Sequence, residues 1–250
     1  MSQKILEISN VFHSFTLGSQ VVEIIKGVNF TINEGDFVIL FGPSGCGKST
    51  MLNILLGLEP PTKGTVTFLG KDLYTSSDDG RAQIRKQQVG MVYQQSNWVK
   101  SLNVIENIYF PLTLRGLDLA EREKKAWDVL KMVEMEQGAY QTPSELSSGQ
   151  QQRISLARAL ISDPALIVAD EPTGNLDSKA SGEIMDLFKQ FNSRGKTVIM
   201  VTHDLEYLKF ASRSIRMSDG LVVGEYTAND EKLKELSTSK RGSIQLGGHV

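Results

Sequence analysis

Cysteine is almost absent from this sequence, which has one, Cys46, among 250 residues. A single cysteine excludes an intramolecular disulfide and fits the reducing conditions of the cytosol. Cys46 lies near Lys48 at the start of a predicted helix, a setting that lowers the pKa of a thiol. A redox switch is one interpretation of Cys46. We favour the other, a small side chain that fits its loop.

Long apolar runs are also missing, and none approaches the roughly 18 residues that a membrane-spanning helix needs. The N-terminal segment MSQKILEIS lacks the apolar core of a signal peptide. The formal net charge is −2, which provides no general attraction to nucleic acid. We therefore expect a cytoplasmic protein without a nucleic-acid partner.

The most informative segment is GPSGCGKST, residues 42–50, which fits the phosphate-binding pattern G-x-x-x-x-G-K-[S/T]. Its glycines allow a tight turn that aims backbone N–H groups at a polyphosphate, beside the positive end of the next helix. Lys48 supplies a charge for the β- and γ-phosphates, and Ser49 a hydroxyl for Mg²⁺. An apolar strand-like run, 36–41, precedes the loop and a helical pattern follows it, as the motif requires.

Short apolar segments between Gly, Asn and Asp residues predict the strands. The segments before residue 36 favour an antiparallel sheet, whereas 36–41 has the uninterrupted apolar character of a buried central strand. The predicted strands are 5–12, 21–25, 28–32, 36–41, 65–70, 89–94, 165–170 and 197–202, followed by a hairpin of 214–218 and 221–226.

The pattern becomes helical between about residues 98 and 149. In the segment 119–135, apolar residues fall at i, i+3, i+4 and i+7, which is one face of a helix. We interpret this region as a helical insertion between two core strands. A further helix is predicted at 179–191.

Polar side chains follow several of the predicted core strands. Asp170 ends one strand, where a carboxylate can reach Mg²⁺, and Glu171 comes next, where it can reach an attacking water. Gln94 and His203 end two others, at the edge where α/β sheets collect catalytic groups. Without the phosphate loop, an ordinary acidic pair at a strand end and a structural histidine would be the better interpretations.

A second candidate anion site is LSSGQ, residues 146–150, at the start of another predicted helix. A serine-rich helix N-terminus binds anions, although a plain helix cap has the same sequence. One ATP does not need two such sites from one chain. The pattern therefore predicts that a partner supplies one of them.

Together these segments resemble the ATP-binding subunits of ABC transporters, in the family's order over about residues 3–226. The resemblance identifies GPSGCGKST as Walker A, Gln94 as the Q-loop glutamine, LSSGQ as the signature sequence, LIVADE as Walker B, Asn175-Leu176-Asp177 as the D-loop and His203 as the switch histidine.

The resemblance implies an α/β fold, a P-loop NTPase core with a mixed sheet, an N-terminal antiparallel β subdomain and an inserted α-helical subdomain. It places the ATP-binding domain at 1–236 and the helical insertion at about 97–162. The polar, glycine-rich end of the sequence predicts a flexible C-terminal tail at 237–250.

It also implies a homodimer that closes head-to-tail around two Mg·ATP. Phe15 matches the aromatic residue that stacks on adenine, with Phe12 and His13 as alternatives. The implied nucleotide contacts are Phe15, Gly42, Pro43, Ser44, Gly45, Cys46, Gly47, Lys48, Ser49 and Thr50 from one chain, and Ser147, Gly149, Gln150 and Asp177 from the other. The implied Mg²⁺ ligands are Ser49, Gln94 and Asp170, and the implied catalytic residues are Glu171, His203 and Gln94.

Segments such as NVIENIYFPLTLRG and DEPTGNLDSKAS resemble the lipoprotein-releasing and macrolide-exporter branch of the family. The resemblance implies export or extraction of a substrate through an integral membrane permease subunit with an extracytoplasmic domain. That permease would hold the chain on the inner face of the plasma membrane. The signature usually reads LSGGQ, and Ser148 departs from it at a position where glycine allows close backbone approach.

Two other functions remain to be weighed. One is a mechanical regulator whose ATP cycle controls an extracytoplasmic cell-wall enzyme without transport. The other is a soluble ABC ATPase of DNA repair or translation. Against the second, the sequence has no long coiled-coil insertion, no second cassette and no excess of basic residues.

Overall fold

The computed structural model of the protein describes residues 3–238. Its strands are β1 (Lys4–Leu17), β2 (Gln20–Asn33), β3 (Phe37–Phe41), β4 (Lys63–Phe68), β5 (Lys71–Asp72), β6 (Val89–Tyr93), β7 (Leu166–Asp170), β8 (Thr197–Thr202), β9 (Arg213–Ser218) and β10 (Leu221–Thr227). Its α-helices are α1 (Lys48–Leu55), α2 (Asp78–Gln88), α3 (Val104–Thr113), α4 (Leu119–Met132), α5 (Ser148–Leu160), α6 (Ser178–Ser193) and α7 (Glu231–Thr238).

The strands form two sheets. An antiparallel sheet has the order β2-β1-β4-β5, and a mixed sheet has the order β10-β9-β3-β8-β7-β6. In the mixed sheet β9, β3, β8, β7 and β6 run parallel, and β10 closes one edge as the antiparallel arm of the predicted hairpin. The predicted mixed sheet and the N-terminal antiparallel sheet are confirmed.

Strand β3 lies inside the mixed sheet, and all five of its residues are buried. Its alternate side chains enter two different hydrophobic cores because successive residues of a strand point to opposite faces. Phe37, Ile39 and Phe41 pack with the helices α3, α4, α5 and α6. Val38 and Leu40 pack with α1 and the antiparallel sheet. The sheet is therefore covered on both faces, which explains its uninterrupted apolar strands.

The structure differs from the predicted elements in two places. The segments 21–25 and 28–32 belong to one strand, β2, which passes through Gly27 at a φ of 82°. Helix α2 was missed because its described residues are all exposed or partly exposed, so it has no apolar stripe to read. Two of its arginines have a structural role. Arg81 and Arg85 donate hydrogen bonds to the carbonyl oxygen of Gly57, just after α1.

Helices α3, α4 and α5 fall inside the predicted insertion and pack around one apolar cluster, while its boundaries stay a prediction. The predicted C-terminal tail begins inside α7, which continues to Thr238, and residues 239–250 lie outside the described residues. Among the described helices, none combines the length and apolar character needed to cross a bilayer.

Candidate functional site

The phosphate loop joins the end of β3 to the start of α1, as its sequence predicts. Gly42 and Gly47 have φ values of 156° and 101°, in the region that favours glycine. A Cβ on Gly42 would collide with the carbonyl oxygen of Met217, and one on Gly47 would lie 2.9 Å from Cδ1 of Ile25. The loop backbone is therefore fitted closely between β9 and β2. A larger residue at Gly42 would displace backbone, and one at Gly47 would be strained by its φ and would push Ile25 aside.

Lys48 is buried at the centre of this loop, with 8% of its surface exposed. Its Nζ donates hydrogen bonds to the carbonyl oxygens of Gly42 and Pro43, at 2.9 and 3.0 Å. The loop thus holds the ammonium group in place with its own backbone. Ser49 follows it as an exposed residue in the first turn of α1.

Cys46 is buried beneath the same loop and packs with the core around α1. Burial raises the pKa of its thiol, an effect that the charge of Lys48 opposes and does not overcome. The prediction that this setting lowers the thiol pKa is wrong, because desolvation is the larger effect. The structure favours the interpretation of Cys46 as a small side chain that fills the loop.

The carboxyl ends of the parallel strands bring the predicted catalytic residues to one edge of the sheet. β3, β8, β7 and β6 are consecutive neighbours in the mixed sheet. The phosphate loop follows β3, His203 follows β8, Asp170 ends β7, and Gln94 follows β6. Residues up to 161 positions apart in sequence, from Gly42 to His203, therefore share one edge.

Glu171 and His203 are in direct contact at this edge. Nδ1 of His203 lies 2.8 Å from Oε1 of Glu171, and the hydroxyl of Thr202 donates to Oε2 at 3.3 Å. Thr202 also accepts a hydrogen bond from the backbone N–H of Asp204 at 3.0 Å. The carboxylate is thus held at both oxygens by residues of one neighbouring strand end.

The backbone of Glu171 is unusual. Its φ is 46°, which is rare for a residue other than glycine and costs of order 1–3 kcal/mol. Its N–H donates to the carbonyl oxygen of Val201 at 2.9 Å, so β8 holds the residue in this conformation. Strain of this kind gathers at functional sites, where it orients a side chain.

Asp170 lies beside Glu171 and near Lys48. Burial raises the pKa of the Asp170 carboxyl, the charge of Glu171 raises it further, and Lys48 opposes both. The ionised form of Asp170 is therefore destabilised by its surroundings, and a cation bound nearby would stabilise it.

Gln94 contacts the loop that follows Glu171. Its Nε2 donates to Oδ1 of Asn175 at 3.3 Å, and Nδ2 of Asn175 donates to the carbonyl oxygen of Gln94 at 3.4 Å. A Cβ on Gly174 would lie 2.6 Å from Nε2 of Gln94. The predicted Q-loop glutamine and the predicted D-loop therefore meet, a contact that the sequence pattern did not reveal.

The signature segment forms the N-terminus of α5. Ser147 caps the helix by accepting from the N–H of Gln150 at 3.3 Å, while Oε1 of Gln150 accepts from the N–H of Ser147 at 2.9 Å. Ser147, Ser148 and Gln150 are all exposed, so this helix end is open to a partner. The segment therefore does act as a helix cap, and its exposed residues can still contact an anion or a second chain.

Asp177 caps α6, where Oδ1 accepts from the N–H of Ala180 at 2.8 Å. A Cβ on Gly149 would lie 3.1 Å from Cβ of Ala180, so the starts of α5 and α6 pack closely. A larger residue at Gly149 would therefore crowd the start of α6. Asp177 stands beside the signature segment of its own chain.

Sequence reasoning missed four residues that join the Q-loop to α5. Nε1 of Trp98 donates to Oε1 of Gln151 at 3.0 Å, and the guanidinium of Arg158 stacks over the Trp98 ring at 4.6 Å. Burial lowers the pKa of Arg158. Gln152 adds a hydrogen bond from its Nε2 to the carbonyl oxygen of Tyr93 at 3.1 Å. Only the fold brings these residues together, so no local pattern could have found them.

The three candidates for the adenine platform differ in exposure. Phe15 is 40% exposed, whereas His13 is 6% exposed. Phe12 is partly buried with its ring against Gly27, where an added Cβ would lie 2.9 Å from Cζ. Of the three side chains, Phe15 offers the most open ring to a base, and its role stays a prediction.

Within residues 3–238 the structure shows no group of three or more His, Cys, Asp or Glu residues that could enclose a metal ion. The predicted Mg²⁺ ligands Ser49, Gln94 and Asp170 offer a hydroxyl, an amide and a carboxylate oxygen. Mg²⁺ prefers oxygen ligands and is commonly bound through one or two carboxylates together with substrate phosphates. The donor set fits such a shared site.

Comparison with known proteins agrees with this geometry. A family model described as ABC transporter matches residues 25–174, more than half of the chain. An uncharacterised ABC transporter ATP-binding protein of Thermotoga maritima is 41% identical over 222 residues, which cover 89% of this chain and 95% of that protein. The macrolide export ATP-binding/permease protein MacB of Chlorobium phaeobacteroides is 41% identical over 236 residues.

That alignment covers 94% of this chain and 35% of MacB, so the chain spans about a third of this relative. Among solved structures, the dimeric ATP-binding cassette MJ0796 in a post-hydrolysis state bound to ADP and Pi has a TM-score of 0.82 and 41% identity, covering 90% of this chain and 99% of that one. MJ0796 is a protein of Methanocaldococcus jannaschii.

The MacB relatives confirm the predicted likeness to the macrolide-exporter branch. In this chain the strand ends bring the phosphate loop close to Asp170 and Glu171, as an ATP site requires. Together with that geometry, the matches show that the chain belongs to the ABC transporter family as an ATP-binding subunit with ATPase activity.

Proposed function

We propose that this ATPase works as a head-to-tail homodimer that hydrolyses two Mg·ATP and drives export or extraction of a substrate through a separate integral membrane permease. The observation that carries the proposal is the shared edge of the mixed sheet. There the buried ammonium of Lys48, Asp170, and the Glu171–His203 pair stand at the ends of neighbouring parallel strands.

In this proposal the phosphate loop binds the triphosphate and Phe15 stacks on the base. Lys48 contacts the β- and γ-phosphates, and its present partners are two backbone carbonyls that an anionic oxygen can replace. Ser49, Asp170 and Gln94 would hold Mg²⁺, which would supply positive charge to the phosphates. The rest of the loop contributes backbone N–H groups at the start of α1.

Glu171 is the proposed general base. It orients the attacking water and accepts a proton from it, and Thr202 and His203 keep its two oxygens in place. Since Nδ1 of His203 faces the carboxylate, the Nε2 nitrogen of this 67% exposed side chain is the one left for the γ-phosphate. Catalysis then rests on positioning and on charge stabilisation.

The open start of α5 supports the shared site. Ser147, Gly149 and Gln150 of one copy would close over the ATP bound to the other, with Asp177 alongside. The helix end offers exposed side chains and the positive end of a dipole. MJ0796, the solved relative described above, is dimeric with ADP and Pi bound.

An apolar groove between α1, α2, β6 and α3 is the proposed docking site for the permease. Its volume is about 640 Å³, and its lining includes Leu56, Leu58, Tyr93, Phe110, Pro111 and Leu114. Leu58 and Leu114 are 53% and 60% exposed. The proposed occupant is a cytoplasmic helix of the permease, since MacB, by its name, carries ATP-binding and permease parts in one protein. The permease would also carry the predicted extracytoplasmic domain and hold the chain at the inner face of the plasma membrane.

Affinity purification from detergent-solubilised membranes tests this proposal. We expect an integral membrane protein to copurify with the wild-type chain. Leu114→Asp, which places a charge in the groove, should abolish copurification and leave the ATPase activity of the isolated chain unchanged. Leu119→Asp is the matched control, because Leu119 is 50% exposed on α4 and is not among the groove residues. Equal recovery of the membrane protein with both variants would rule out the groove.

A further inference from the structure

The ring of His13 supports the ring of Phe15. Their centroids are 4.7 Å apart and their planes are inclined by 80°, an edge-to-face contact. His13 is buried, whereas Phe15 is 40% exposed. His13 therefore steadies Phe15 and leaves part of its ring open.

His13 is itself fixed by the loop that follows α1. Its Nδ1 donates to the carbonyl oxygen of Pro60 at 3.0 Å. Its Nε2 lies 3.0 Å from Oε1 of Glu59, a close electrostatic contact whose angles are not those of a hydrogen bond. Both side chains are largely buried, with 8% and 22% exposed. The imidazole is thus held at Nδ1 by the Pro60 carbonyl, while its Nε2 lies close to the Glu59 carboxylate.

The loop after α1 is tied to that helix and to β1. The hydroxyl of Tyr74 lies 2.7 Å from the carbonyl oxygen of Ile54 and 2.6 Å from that of Glu59. The N–H of Thr62 donates to the carbonyl oxygen of Phe12 at 2.8 Å, and Oγ1 of Thr62 accepts from the N–H of Ser14 at 3.1 Å. A continuous set of contacts therefore runs from α1, whose other end is the phosphate loop, to His13.

We propose that His13, held by the carbonyl oxygen of Pro60, is the positioning residue of the adenine platform. It fixes the Phe15 ring at a set position relative to the phosphate loop. The base and the triphosphate of one nucleotide can then bind to the ring and the loop without rearrangement of either. A ring ordered before binding costs less conformational entropy when the base arrives. This inference rests on the proposed function, in which Phe15 stacks on the base.

A double-mutant cycle tests the inference. Binding of Mg·ATP and of Mg·tripolyphosphate, which has no base, is measured for wild type, Phe15→Ala, His13→Ala and the double variant. Thr16→Ala, an exposed position on the same strand, is the matched control. We expect His13→Ala to weaken ATP binding about threefold to tenfold, in the range of one aromatic contact, and to leave tripolyphosphate binding unchanged.

The cycle separates action through Phe15 from action elsewhere. If His13 works by positioning Phe15, replacing it in the Phe15→Ala background should have no further effect on ATP binding. Additive effects in the double variant, or equal weakening of tripolyphosphate binding, would overturn the inference. Unchanged ATP binding in Phe15→Ala alone would instead overturn the platform assignment itself.

Glu59→Gln provides a second variant that does not remove the imidazole. It keeps the size of the side chain and removes the charge that faces Nε2. Because Pro60 still holds Nδ1 and an amide can donate to Nε2, we expect this variant to bind ATP and tripolyphosphate like the wild type. In His13→Ala, by contrast, the KM for ATP should rise while kcat stays constant. ATP binding equal to wild type in a folded His13→Ala protein would refute the positioning role.

Discussion

Nδ1 of His203 lies 2.8 Å from Oε1 of Glu171, although 31 residues separate the two in the chain. The contact joins the proposed general base to the residue proposed to meet the γ-phosphate. Proton removal and phosphate sensing are therefore mechanically linked within one protomer.

Glu171→Gln should retain ATP binding and nearly stop hydrolysis. Glutamine keeps the size of the side chain but cannot take a proton, and loss of a general base typically lowers the rate about 10²–10⁴-fold. Uncleaved ATP should then hold two chains together. Size-exclusion chromatography with and without Mg·ATP measures this, and a variant that binds ATP but stays monomeric would contradict the shared site.

Thr202→Val should lower kcat and leave ATP affinity unchanged. Valine has nearly the same shape but removes the donor to Oε2 of Glu171 and the acceptor of the Asp204 N–H. We expect a decrease of about tenfold, equivalent to one hydrogen bond to a charged group. Thr202→Ser keeps the hydroxyl and should restore most of the activity. A serine variant as slow as the valine variant would show that packing, rather than the hydrogen bond, matters.

Ser148→Gly should keep or raise ATPase activity. Ser148 is exposed at the first position of α5, where Ser147 and Gln150 make the capping hydrogen bonds. Glycine preserves the backbone N–H and allows close approach of a partner. Steady-state hydrolysis of both proteins at equal concentration decides the point. A large loss in the glycine variant would assign a role to the Ser148 hydroxyl.

Asp170→Asn should raise the thermal stability of the nucleotide-free, magnesium-free protein at neutral pH. The folded state raises the pKa of this carboxyl, so the folded chain binds a proton more readily than the unfolded chain. Asp170 therefore costs stability once the pH rises above the unfolded pKa, and asparagine removes that cost. Melting temperatures in EDTA measure the effect. The difference between the proteins should shrink as the pH falls toward the range where Asp170 is protonated.

The sequence predicted the local motifs well. The phosphate loop needs a strand, glycines and a helix in one short segment, so its pattern determines its shape. The contacts of Glu171 with His203 and of Gln94 with Asn175 depend on strand order, which no local pattern contains. The predicted direction of the pKa shift of Cys46 was wrong. The nearby Lys48 is visible in the sequence, whereas the burial of the thiol, which has the larger effect, depends on the fold.

The alternation of β3 between two cores has a consequence for how the molecule unfolds. Val38 and Ile39 are adjacent in the chain, yet they belong to the antiparallel-sheet core and the helical core respectively. If either core unfolds, the strand that ends at the phosphate loop loses its packing on one face. The residues along β3 therefore join both halves of the described fold into one cooperative unit. A destabilising substitution in either core should consequently lower the affinity of the phosphate loop for nucleotide.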